Sequence, residues 1–258
     1  MRQADRALAD HLAAELADRL SLITRRFDHA LLIAADATPY AEAVAASGRV
    51  GTLTLAAPPE NDDLALPPEG FNAIISMADL HTANDLPGQL IQMRRALKPD
   101  GMALIALFGG DTLSELRQSW IAADSAGHGA APRVAPMVEV RALGGLLQRA
   151  GFALPVIDAD RQTVRYGDAL ALMREVKTFG FANPLSERAR CLTTPATLAR
   201  AARHYHENYA DADGRIRATM EVLWAIAWAP DESQPKPARP GSATMRLADA
   251  LKARDVGD

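Results

Sequence analysis

At 258 residues, with 28 Lys plus Arg against 32 Asp plus Glu, the chain carries a formal charge of −4. That balance argues against a protein whose main task is gripping nucleic acid by charge. The length suits one α/β domain with elaborations, and 48% hydrophobic with 23% charged content excludes wholesale disorder. The single cysteine, Cys191, excludes an internal disulfide framework and a multi-cysteine zinc site. It reads as a bystander thiol near the end of a helix. No run of about 20 apolar residues is present, so no membrane span is expected. No basic segment leads into an apolar one at the N-terminus, so the expected location is cytoplasmic. Only four of the 28 basic residues are lysines, which reads as a bacterial coding bias.

Leu8, Leu12, Leu16, Leu20 and Ile23 recur at helical spacing and predict an amphipathic helix over 4–24. Strands are predicted over 30–34, 50–55, 71–77 and 102–108, each a continuous apolar run of the kind a covered parallel sheet requires. Helices separate them. One begins just after Pro39. Another carries Leu86, Leu90, Met93 and Leu97 and ends at the turn Lys98-Pro99-Asp100-Gly101. Thr112 and Glu115 have capping-box spacing ahead of a helix faced by Leu113, Leu116 and Trp120. Val140, Leu143, Leu147 and Ala150 line a further helix, with Gly151 closing it.

The far half differs. Apolar residues alternate from Ile216 to Trp228, which predicts one long strand. Its expected partner begins at Leu154 and extends toward Tyr166. Between them lies a helical insertion over about 168–212, a length that usually covers a site. The Pro-rich segment 231–241 is expected to be extended, with a short closing helix from Met245 to Leu251. Five units follow: 1–26 an N-terminal helix; 27–167 a Rossmann-like core; 168–213 a helical cap; 214–230 a long core strand; 231–258 a tail.

This order of elements resembles a class I S-adenosylmethionine (SAM) dependent methyltransferase. The segment Leu80-His81-Thr82-Ala83-Asn84-Asp85-Leu86-Pro87-Gly88 is similar to two groups within it. These are the malonyl-carrier-protein methyltransferase of biotin synthesis and the methyltransferase-like assembly factor of respiratory complex I. The blocks from Gly109 to Arg117, Pro132-Arg133-Val134, Arg149 to Phe152, and above all Trp228 to Pro237 look more like the assembly factor. The resemblance implies an α/β, Rossmann-like class I fold: a mostly parallel sheet with a late antiparallel hairpin and a helical C-terminal cap. It implies SAM as cofactor and a complex I subunit or assembly protein as partner. Nucleic acid is not an expected partner. Pairing with itself or with an active relative stays open.

Two departures bear on the cofactor. The family's glycine-rich loop lets the backbone approach SAM without a Cβ in the way. Here the matching stretch is Ile33-Ala34-Ala35-Asp36-Ala37-Thr38-Pro39, with no glycine. An acid normally closes the second strand and binds the ribose; Ala56-Ala57 stand there. Six residues separate Leu55 from Asp62, too few for a parallel crossover with its helix, which takes at least about 10 to 12. One βα unit of the cofactor half is therefore expected to be deleted. The leading expectation is a pseudoenzyme, a scaffold or assembly factor that no longer transfers methyl groups. The alternatives are an active SAM-dependent methyltransferase, the arginine hydroxylase that the assembly-factor resemblance implies, or a binder of some other small ligand.

The candidate cofactor-side residues are Ala35, Asp36, Ala37, Asp62 and Asp63, with solvated loop carboxylates the simpler account of the last two. His81, Asp85 and Arg133 are candidates for the acceptor side. A His at a strand end can act as a base, but His81 packing at the sheet edge and Asp85 capping the next helix fit equally well. Arg133 and Tyr166 could line an acceptor pocket, Arg133 binding an anion; a loop-bracing ion pair is the competing account. Asp111 is expected to cap the helix that follows it. His204-Tyr205-His206 does not suit a metal, because residues two apart on a helix face apart. Trp224 and Trp228 are expected to pack the long hairpin.

Overall fold

The computed structural model describes residues 3–125, 132–178 and 193–235. Four parallel strands form one side of the sheet: β1 (Phe27–Ile33), β2 (Val50–Ala56), β3 (Phe71–Met77) and β4 (Leu97–Phe108). β5 (Ala153–Tyr166) and β6 (Ile216–Trp228) complete it in the order β2-β1-β3-β4-β6-β5, with β6 antiparallel to both neighbours. The strands that sit centrally are those with unbroken apolar runs. Every residue from Gly101 to Phe108 is buried, and five of the seven in β3 from Ala73 onward. Such strands need helices on both faces.

One face is covered by α1 (Gln3–Leu22), α2 (Thr38–Ser47), α4 (Ser114–Ser125) and α7 (Pro195–Tyr209). Leu12, Leu16 and Leu20 of α1 are at most 1% exposed and meet Leu32 and Trp224 in one cluster. The other face is covered by α3 (Leu86–Ala96) and α5 (Val140–Arg149), whose Leu90, Met93, Leu143 and Leu147 join Leu31, Ile33 and Ile105 in a second core cluster. The insertion between β5 and β6 contains α6 (Ala169–Thr178) and α7. Tyr205 of α7 is buried and donates from its hydroxyl to the Arg217 carbonyl at 2.9 Å, holding the insertion on β6.

The crossover from β2 to β3 is a loop, residues 57–70, without helix or strand. Among the described residues no strand lies outside β2, as the short spacing predicts. β2 is consequently poorly covered: Leu55 is 54% exposed. The loop runs along α3 instead. Gln89 Nε2 donates to Asp62 Oδ1 at 2.7 Å, the Leu64 N–H to Gln92 Oε1 at 2.8 Å, and the Glu69 N–H to the Arg95 carbonyl at 2.9 Å. Three loop residues, Asp62, Ala65 and Glu69, hold positive φ, a conformation that costs non-glycine residues energy and persists only where surroundings enforce it.

Three local expectations need correction. β4 begins at Leu97, so Pro99-Asp100-Gly101 lies within the strand, beside a register shift between Phe71 and Ala73. Asp100, at φ +58, is held there by Arg25 Nη1 at 2.5 Å and Gln234 Nε2 at 2.9 Å. Thr112 and Glu115 make no capping box. Both reach to β6: Thr112 Oγ1 bonds the Glu221 backbone, and Glu115 accepts from Thr219 N–H and hydroxyl at 3.1 and 2.5 Å. Asp111 pairs with Arg161 and leaves the start of α4 uncapped by its side chain. By contrast, Gly151 at φ +88 closes α5 as expected, with Phe152 N–H bonded back to the Leu147 carbonyl. Cys191, the closing helix at 245–251 and the tail beyond residue 235 lie outside the described residues.

Candidate functional site

In an open α/β sheet, ligands bind at the carboxyl ends of the strands where the order reverses. Here that point lies between β1 and β3. β1 delivers Ala34, Ala35, Asp36 and Ala37; β3 delivers Ala78, Asp79, Leu80 and His81. Asp36 folds back on its own helix, with Oδ1 accepting from the Thr38 N–H at 3.1 Å. Pro39 follows and has no N–H. Two of the groups at the start of α2 that would face a ligand are thus taken or missing. Ala37 is half-buried against the core, and Ala34 is buried.

Tyr40, in the first turn of α2, is 5% exposed. Burial first, then the nearby Asp36 and Asp79 carboxylates, push its phenol up to about 12. Asp79 is itself buried, and burial raises its carboxyl to about 6 against the hydrogen bond from Ser76 Oγ at 2.5 Å. Ala78 at φ +53 sets the kink that turns Asp79 inward. His81 sits in a 3₁₀ turn, Leu80–Thr82, with its ring edge-on to Phe108 at 4.9 Å; burial lowers its pKa to about 4. It is therefore a neutral, packed imidazole at physiological pH.

The other candidates are placed as follows. Asp85 caps α3, accepting from the Gly88 N–H at 2.9 Å. Asp62 staples the crossover loop to the start of α3 through the Asn84 N–H and Gln89. Those bonds outweigh its partial burial and hold its pKa below the ordinary carboxylate value. It is thus fixed rather than solvated. Asp63 closes a local turn on the Ala65 N–H at 2.9 Å. Arg133 makes a bidentate pair with Asp124 at 2.7 and 2.8 Å, reaches Thr193 at 2.9 Å, and lies over Trp120. It braces α4 against the insertion. Tyr166 is half-buried against the core. His204 bonds Ser119 at 3.2 Å while Tyr205 points into the core, as the helical spacing requires. Trp224 is buried and Trp228 half-buried, each under an arginine.

A polar cleft of about 480 Å³ opens at the end of β4, lined by Gly110, Asp111, Glu139, Arg141, Arg161 and Glu221. Glu221 is 4% exposed. Its carboxylate accepts from the Asp111 N–H at 3.1 Å and Arg161 Nε at 3.0 Å. A Cβ at Gly109 would collide with the Glu221 and Leu223 side chains, so a larger residue there would displace the buried carboxylate. Sequence reasoning missed Glu221, Asp79 and Tyr40. The first two carried a signal: each is a lone acid in or directly after an apolar strand. A second cavity of about 400 Å³ lies under the cap, lined by Trp120, Leu170, Met173, Arg174, Thr193 and Leu198.

No protein-family model matches the chain. Curated relatives do. It is 40% identical over 183 residues to "Arginine-hydroxylase NDUFAF5, mitochondrial" of Danio rerio, covering 70% of this chain and 57% of that protein. Against the human protein of the same name it is 38% identical over 187 residues, 72% of this chain and 54% of that one. It is 39% identical over 159 residues to the malonyl-[acyl-carrier protein] O-methyltransferase of Xylella fastidiosa, 62% and 52% of the two chains. The chain thus spans about half the length of the curated relatives it matches. Its fold is also that of a solved Bacillus halodurans methyltransferase candidate (TM-score 0.54, 12% identity, 85% of this chain and 99% of that one) and of YcgJ from Bacillus subtilis (0.53, 13%, 86% and 99%). The chain is a class I methyltransferase-like protein in fold, similar in sequence to both groups that its motifs resemble.

Proposed function

We propose that this chain keeps the class I methyltransferase scaffold without a working SAM site and serves as a protein-contact factor in assembly of a complex I-type enzyme. The observation that carries the reading is the closed switch point: Asp36 occupies the Thr38 N–H and Tyr40 is buried beside it. The residues present do not fit SAM. No glycine lets a ligand approach the backbone after β1, no acid ends β2, and the crossover that would wall the adenine is a loop pinned to α3. Relatives at 38–40% identity include the NDUFAF5 proteins, which supports the reading.

The likeness to proteins titled arginine hydroxylase favours a second reading, an enzyme acting on a protein arginine. The polar cleft already holds the Arg161 guanidinium between Asp111 and Glu221, with Glu139 also on its lining, so a substrate guanidinium would enter by displacing Arg161. One titration separates the two. Purified protein, first shown to carry no copurified ligand, is titrated calorimetrically with SAM and S-adenosylhomocysteine. The scaffold reading expects no heat up to millimolar ligand; micromolar affinity overturns it. Copurification from the native host then tests the partner, and normal complex I assembly in a deletion strain counts against that role.

A further inference from the structure

The seam between α1 and the sheet-edge strand β5 gathers three metal-ligating side chains that belong to neither cavity. His11 and Glu15 stand four residues apart on α1 and so share a face. Asp160 reaches them from β5. One ligand atom of each lies within 4.8 Å of the other two. A second observation points to a missing ligand. The His11 side chain is 38% exposed as a whole, but its Nε2 atom is screened from solvent and makes no hydrogen bond. Its nearest acid oxygen, Asp160 Oδ2, is 3.8 Å away, beyond hydrogen-bond reach. A screened imidazole nitrogen with only this distant carboxylate beside it costs free energy unless something closer satisfies it.

The surroundings are arranged for a cation. Gln162 Nε2 donates to both oxygens of Asp160 at 3.1 and 3.0 Å, orienting the carboxylate as outer-shell groups orient metal ligands. Arg19 is the competing cation. It lies 3.0 Å from Asp158 and stacks 4.5 Å above Trp224, but reaches Glu15 only at 3.8 Å. Glu15 therefore keeps an oxygen free to turn inward. One nitrogen and two carboxylate oxygens, the fourth position left to water, match zinc; magnesium and calcium favour oxygen-only sets. Zinc–ligand bonds of about 2.0–2.1 Å put tetrahedral ligand atoms about 3.3 Å apart. Reaching that from the present separations takes side-chain movements of about 1.5 Å or less.

We propose that His11, Glu15 and Asp160 bind one zinc ion that clips the N-terminal helix to the sheet edge. The chelator-treated full chain is titrated calorimetrically with zinc, beside His11→Ala and Glu15→Gln. Glu15→Gln preserves side-chain volume, so it tests ligation even if His11→Ala loosens α1. Circular dichroism confirms that each variant is folded. The proposal expects one binding event of micromolar or tighter affinity, weakened at least about tenfold in both variants, as loss of a ligand requires. With zinc a hundredfold above Kd, Tm rises by about 5 °C or more in the parent chain. It rises far less in the variants. Absence of zinc binding in the parent, or an affinity that survives both substitutions, overturns the proposal. The second outcome would assign the binding to other histidines.

Discussion

Asp79 and His81 lie two residues apart and are perturbed in opposite senses, so their contributions to stability mask each other. Burial lifts the Asp79 carboxyl from 3.8 to about 6 and lowers the His81 imidazole from 6.5 to about 4. Below pH 3.8 Asp79 is protonated both folded and unfolded and costs nothing. As pH rises through 6 the folded state must ionise it in a buried position. Stability is lost across that window, by about 3 kcal/mol for about two pKa units. His81 runs the other way. Above pH 6.5 it is neutral in both states; as pH falls through 4 the folded state must charge a buried ring, again at about 3 kcal/mol. The two slopes oppose each other between pH 4 and 6.5, so the parent stability curve is expected to be nearly flat there.

Single substitutions unmask each half. Asp79→Asn keeps an oxygen to accept from Ser76 Oγ and removes the charge. Its stability should exceed the parent's at pH 8 by up to about 3 kcal/mol, then fall by a similar amount between pH 6.5 and 4. His81→Gln should show the reverse slope, gaining stability as pH drops from 6 to 4. Urea unfolding followed by far-UV circular dichroism every half pH unit reads both. A pair of variant curves with the parent's shape, displaced only by a constant, would refute the reasoning. So would an Asp79→Asn variant destabilised at pH 8.

Other substitutions separate packing from charge. Tyr40→Ala removes a ring that is 5% exposed and should cost about 3–5 kcal/mol. Tyr40→Phe, which keeps the buried ring and loses only the hydroxyl, should cost no more than about 1.5 kcal/mol by the same urea assay. Arg133→Ala strips a bidentate partner from Asp124, whose side chain is 7% exposed, and should cost about 3–5 kcal/mol; Arg133→Lys should recover only part, since a point charge cannot make both bonds. Gly151→Ala at φ +88 should lower stability by more than about 1 kcal/mol, read as a shift in the urea midpoint. Leu55→Lys, at an exposed edge position, should leave stability within about 0.5 kcal/mol and raise the concentration at which scattering reports self-association.

The elements that periodicity dictates were legible. Leu12, Leu16 and Leu20 can be buried together only by a helix, and Met102–Phe108 only by a doubly covered strand. The helix-free crossover after β2 was legible too, because the spacing from Leu55 to Asp62 is an arithmetic limit on a crossover. The site was harder. Asp85 and Arg133 carry groups that suit catalysis and capping or bracing equally well; only the partner decides, and Gly88 and Asp124 are partners in space. The Thr112–Glu115 spacing failed for a related reason. A capping box is a local solution, and Glu115 lies beside Thr219 of β6, which offers both a backbone N–H and a hydroxyl. A non-local pair of donors outcompeted the local one.

Non-local partners of the same kind also hold the crossover after β2. With no helix between β2 and β3, β2 is half-exposed, yet loop 57–70 meets its polar groups on α3: Gln89 and Gln92 together satisfy the Asp62 carboxylate, the Asp62 carbonyl and the Leu64 N–H. Two glutamines on one helix face thus do for the loop what a strand ladder would do. The polar cleft at the end of β4 is built differently. There Glu221, inside an otherwise apolar strand, gathers the Asp111 N–H and Arg161 around Gly109. A buried carboxylate of this kind is costly unless its partners are all present. Glu221→Gln is therefore expected to disturb the Arg161 and Asp111 positions while leaving the β1–β3 switch point unchanged. Chemical-shift changes confined to residues near 109–111, 161 and 221 would bear this out. Changes spreading to 36–40 would show that the two ends of the sheet are one coupled site.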